Sequence, residues 1–260
     1  MKNASIIILA LLILNGSVWA IEVLESGYIV ETYTIYSQAG IGRVRTMTFD
    51  SSGNLYATHP ANGTIWKTTP EGTANEFVSG FNSPRGIVWA GGTSYGNYLY
   101  VVEYYTSWGG GVWKISLDGT ASKFASLDPP MHAADPLGLD KTDNYGGYLY
   151  VGTTGQDHTY QIDLYGNVTL FSYFPGWTDG GGPRDIAFDT VGNYGELIYV
   201  GTSFSSLTPE VSGLFTLDTN GNPTRFTDDL VAATHIAFDE IGYFDREMFV
   251  TGKSDFDQPW

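Results

Sequence analysis

Between Gly181 and Thr202 the chain reads GGPRDIAFDTVGNYGELIYVGT. Apolar Ile186 and Phe188 stand two apart, a polar glycine-rich stretch follows, and Leu197, Tyr199 and Val200 close the run. Apolar positions at a period of two predict strand, because successive side chains of a strand point to opposite faces. Two such runs around Gly-Asn-Tyr-Gly predict an antiparallel hairpin. The second run recurs as Tyr56-Ala57, Tyr100-Val101, Tyr150-Val151, Tyr199-Val200 and Phe249-Val250, at spacings of 44, 50, 49 and 50. The first recurs as Phe49-Asp50, Trp89-Ala90, Leu139-Asp140, Phe188-Asp189 and Phe238-Asp239, at 40, 50, 49 and 50. Two independent landmarks keep one period.

Each repeat continues with a third apolar run, around Ile65, Val112, Tyr160 and Leu214, and a turn at Gly72, Gly119, Gly166 or Gly221. A fourth run then follows around Phe77, Phe124, Phe171 and Phe226. Glycine and asparagine in those turns supply the positive φ angles that tight hairpins demand. Four short antiparallel strands every 40–50 residues predict an all-β chain, a β-propeller of four-stranded antiparallel blades with five visible repeats. Tyr28 to Tyr36 (YIVETYTIY) alternates like a lone fourth strand, and the last repeat offers only two clear strands before KSDFDQPW. A five-bladed ring and an incomplete six-bladed ring both fit.

Composition narrows the setting. Lys2, the apolar run Ile6 to Leu14 and the small-residue site Val18-Trp19-Ala20 read as a signal peptide over residues 1–20. Residues 21–260 then form a single propeller domain with an incomplete C-terminal blade. No later stretch is apolar enough for a membrane span. The chain is expected to be secreted, periplasmic or at the cell surface, and monomeric. A net charge of −16 opposes binding to a phosphate backbone, so nucleic acid is not an expected partner. With no cysteine, disulfides, thiolate catalysis and Cys-based zinc sites are excluded.

The units FDSSGNLYAT…GTIWKTTPEGT and RDIAFDTVGNYGELIYVGT…GLFTLDTNGNPTRF resemble NHL repeats and the blades of the SMP-30/gluconolactonase-like propellers, from about Arg43 to Thr251. That superfamily includes lactonases, lyases and binding modules, usually on six blades. The resemblance implies a divalent cation, such as calcium, as the cofactor of its hydrolytic members, held in the channel by acidic and amide oxygens. Glu103 and Asp157 are the oxygen donors here that suit such a site.

The first strand of each blade should line the channel. Four positions before its anchor, the column reads Arg45, Arg85, Asp135, Arg184, Thr234, so three of the chain's six arginines share one structural position. Arginine's planar fork suits a carboxylate, a phosphate or a uronic acid. The alternative is that each arginine pairs with an acid of a neighbouring blade and braces the ring. His235 follows one position on. Loops on the same face add Glu103, Tyr104, Trp108, His132, Asp157, His158, Trp177 and Asp179. Aromatic platforms (Trp108, Trp177, Tyr104) beside charged groups suit a carbohydrate or another small anionic ligand; a protein surface is a further partner of this kind. The leading expectation is a binding module. The enzyme alternative, a metal-dependent hydrolase or lyase, would use Glu103, Asp157, His158 or His235. A third reading is a structural module of a longer surface protein. The runs DKTDNYG and DTVGNYG, aspartates with Asn-Tyr-Gly, recur in first hairpins and read as turns, not calcium loops.

Overall fold

The computed structural model describes residues 44–104, 110–127, 133–154, 157–174, 182–202 and 212–253. The proposed leader, the strand expected at Tyr28–Tyr36 and residues 254–260 lie outside them. Blade 1 comprises β1 (Met47–Phe49), β2 (Leu55–His59), β3 (Thr64–Thr68) and β4 (Ala74–Ser79). Blade 2 comprises β5 (Pro84–Trp89), β6 (Leu99–Glu103), β7 (Gly110–Ile115) and β8 (Ala121–Leu127). Blade 3 holds β9 (Ala134–Leu139), β10 (Leu149–Thr153), β11 (His158–Ile162) and β12 (Val168–Tyr173), and blade 4 holds β13 (Pro183–Phe188), β14 (Ile198–Thr202), β15 (Leu214–Leu217) and β16 (Pro223–Thr227). The described part of blade 5 is the pair β17 (Ala232–Phe238) and β18 (Met248–Lys253). Each four-stranded sheet is an antiparallel meander in chain order, so every strand falls where the repeat predicts it. The five first strands pack on one another in succession. Together they line a central channel of about 450 Å³, with Thr48, Val88, Gly138, Ala187 and Ala237 on its wall.

The seams between blades explain why particular residues recur. The second-strand tyrosines Tyr56, Tyr100, Tyr150 and Tyr199 are fully buried. Phe188 of blade 4 packs 5.5 Å from the Tyr150 ring of blade 3, and Phe238 stands 5.6 Å from Tyr199 in the next seam. Burying one such ring contributes about 1.5–3 kcal/mol. The turn tyrosines fasten one blade to the next. Tyr145 donates its hydroxyl to Leu217 C=O (2.8 Å) and accepts from Ile198 N–H in the following blade. Tyr95 does the same with Ile162 C=O and Leu149 N–H. Burial pushes the Tyr95 and Tyr199 phenols up to about 12, so they stay neutral donors.

At the outer ends of this succession the equivalent rings are not covered by described residues. Phe49, whose counterparts Trp89, Leu139 and Phe188 are buried, is 54% exposed, and Phe249, counterpart of the buried tyrosines, is 47% exposed.

The aspartate that follows the first strand in four of the five blades is a turn organiser. Asp140 accepts from the amides of Thr142, Tyr145 and Gly147, and Asp189 from those of Val191, Gly192, Tyr194 and Glu196. At Asp239, burial pushes the carboxyl pKa up, but amide bonds from Phe244 and Arg246 outweigh it and hold the group below the usual carboxylate range. The amides take up these oxygens, which fits the turn reading of the Asn-Tyr-Gly runs.

Candidate functional site at the channel mouth

The column of charged residues stands at the N-terminal ends of the first strands, and it closes into one cluster. Arg45 precedes β1, Arg85 lies in β5, Asp135 in β9 and Arg184 in β13. Because the five strands are arranged around one channel, residues 49 to 90 positions apart meet at its mouth. Asp135 is the hub. Its Oδ1 accepts from Arg45 Nε at 3.0 Å. Its Oδ2 accepts from Arg45 Nη2, from Arg184 Nη1 at 3.1 Å and from Arg85 Nη1 at 3.4 Å. The Asp135 side chain is 1% exposed, whereas Arg45, Arg85 and Arg184 keep 31%, 20% and 27% of their surface. A buried carboxylate thus forms the floor, and three guanidinium groups form a rim that reaches solvent.

The local chain fixes the rim. Arg85 C=O accepts from the hydroxyls of Thr46 (2.5 Å) and Thr58 (2.7 Å) of blade 1, which pins the strand across the seam. The Arg85 guanidinium lies 3.9 Å from the Tyr104 ring centre, a cation–π contact. Tyr104 is held in turn by its amide, which donates to Ser83 C=O at 3.0 Å. Burial pushes the Arg85 pKa down, Asp135 pulls it back up, and the positive charge of Arg45 lowers it again. Arginine nevertheless stays charged at any working pH. Three cations against one anion leave two positive charges at the mouth of a chain whose formal net charge is −16.

Beside the rim, Asp185 bridges the seam between blades 4 and 5, accepting from Ile186 N at 2.9 Å and Ile236 N at 2.7 Å. Burial pushes its carboxyl up, against the lowering effects of the Ile236 amide and of His235. His235 itself is exposed on β17.

The other expected site residues are placed differently. Glu103 ends β6, and its carboxylate accepts from Asn82 N at 2.8 Å. Asp157 is buried at φ 61° in the turn before β11, its amide donating to Thr153 C=O and its carbonyl accepting from Phe174 N. The His158 ring lies 5.0 Å from that of Tyr173 and 5.8 Å from that of Tyr160. Trp108, His132, Trp177 and Asp179 lie outside the described residues. Among the described residues no three of His, Asp and Glu stand close enough to hold a metal ion. The mouth does not fit a cation on charge: three guanidinium groups already surround its buried carboxylate. Pairing of the arginines with an acid of another blade is what the bracing alternative expects; that a single acid, Asp135 of the same column, accepts from all three is missed by sequence reasoning.

No protein-family model and no curated protein sequence matches the chain. Solved structures do. A streptogramin B lyase superposes with a TM-score of 0.57 at 11% identity, covering 80% of this chain and 62% of that one. The fold is a β-propeller. A gluconolactonase from Xanthomonas campestris superposes on the propeller with a TM-score of 0.56 at 14% identity, covering 81% of this chain and 69% of that one. The extracellular domain of a putative one-component system from Bacteroides thetaiotaomicron gives 0.54 at 15% identity, covering 84% and 28%. The chain therefore spans 62% of the length of the lyase it matches. No helix among the described residues is long and apolar enough to cross a membrane.

Proposed function

We propose that this chain is an exported, monomeric propeller module that captures a small anionic ligand at the channel mouth. The observation that carries the reading is the Arg45–Arg85–Arg184 rim around buried Asp135. Asp135 accepts four N–H bonds from the three arginines. Each guanidinium has five N–H donors, so most of the rim's donors are not committed to Asp135. The carboxylate holds the forks in place, so a ligand oxyanion meets donors whose ordering has already been achieved in the fold. Charge-assisted bonds of this kind contribute about 1.5–3 kcal/mol each. Export rests on the leader-like residues 1–20 and is in keeping with the extracellular relative. A carboxylate, phosphate or uronic-acid group is the chemistry the rim suits.

The hydrolase alternative is disfavoured by charge, since an oxygen-ligand cation would sit beside three guanidinium groups. The test is calorimetric titration with sulfate and with galacturonate. The Arg85→Ala/Arg184→Ala variant should lose about a hundredfold in affinity for whichever anion binds, with unchanged circular dichroism. Undiminished binding would remove the rim from the site, and loss of folding would mark the cluster as a brace of the ring.

A further inference from the structure

We infer that the channel mouth selects doubly charged oxyanions over singly charged ones. This rests on the anion-binding reading and specifies the ligand class. Arg45, Arg85 and Arg184 converge on one carboxylate, and Oδ2 of Asp135 alone accepts from all three. The three guanidinium groups are therefore gathered around a single oxygen, close enough for one small ligand to bridge more than one of them. Asp135 neutralises one of the three charges. The remaining excess of two is balanced by one dianion, such as sulfate, malonate or a phosphate monoester, and only half balanced by a monocarboxylate. An unbalanced cluster keeps its mutual repulsion, to which Arg45 and Arg184 already subject Arg85. A neutral sugar supplies no charge to relieve it.

Other groups near the mouth do not provide this balance. Burial disfavours the charged form of Asp185, which accepts from the Ile186 and Ile236 amides, and Tyr104 offers Arg85 only a ring face. A protonated His235 would add a positive charge, which favours every anion and a dianion most.

Calorimetry with simple probes decides the matter. Sulfate and malonate should bind at least about tenfold more tightly than acetate, because doubling the ligand charge doubles its attraction to the cluster. Phenyl phosphate becomes a dianion as it loses its second proton near pH 6. Its affinity, divided by that of sulfate at the same pH, should rise about tenfold between pH 5 and pH 7.5. Taking the ratio to sulfate removes the part of any nearby change of charge that acts equally on both probes. Acetate binding as tightly as sulfate, or a flat ratio, would overturn the dianion assignment while leaving the anion site standing. If none of these anions binds, the assignment and the anion-binding reading fall together.

Discussion

Replacing Asp135 by alanine should destabilise the protein by about 3–5 kcal/mol, a large share of the 5–15 kcal/mol that holds a typical domain folded. The side chain is 1% exposed and answers three guanidinium groups from three other blades. Without it those cations face one another with no counter-charge. Their residual exposure lets them swing towards water, so the effect should fall at the lower end of the range, a drop of roughly 6–12 °C in Tm for a chain of this size. Sulfate should restore part of that loss by taking the place of the carboxylate, and Asp135→Ala should bind sulfate more tightly than the natural protein does. Denaturant titrations with and without sulfate check both points. A cost below about 1 kcal/mol would show that the cluster contributes little to folding.

Gly221→Ala should cost roughly 2–5 kcal/mol for a different reason. Gly221 sits at φ 79° in the turn between β15 and β16, and a Cβ there would stand 2.0 Å from Phe171 C=O of the preceding blade. The obstacle is backbone, held in the β12 strand, so it cannot rotate away. The same close approach recurs where Gly166 faces Phe124 C=O, at 2.3 Å. Gly192 is the control. Its φ is 76°, but nothing lies within 4 Å of its virtual Cβ, so Gly192→Ala should cost only the strain of about 1–2 kcal/mol. Urea denaturation of the two variants separates conformational strain from the seam contact; equal losses would deny that the turn glycine is required by the neighbouring blade.

The blade was legible because its determinants are periodic. Phe188 and Tyr199 recur together because the inner seams bury those positions, and Leu214 and Phe226, whose spacing from them varies with the loop between second and third strands, still lie in the strands expected. The turn aspartates were legible as turns, though not as acceptors of two to four amides each. The cluster was half legible. Arg45, Arg85 and Arg184 stood out as a column, but a column compares blades one at a time, whereas the bonds to Asp135 run across four blades, through the arrangement of the first strands around the channel. The exposure of Phe49 and Phe249 had no sequence signal, because a strand's own pattern does not say whether a neighbouring blade covers it.

Crystals of the protein grown with selenate, a tetrahedral dianion that scatters anomalously, test the central claim most directly. The account predicts one strong anomalous peak at the channel mouth, within hydrogen-bond distance of the Arg45, Arg85 and Arg184 guanidinium groups, and its loss in Arg85→Ala/Arg184→Ala. A mouth without selenate, with the three arginines bound only to Asp135, would contradict it.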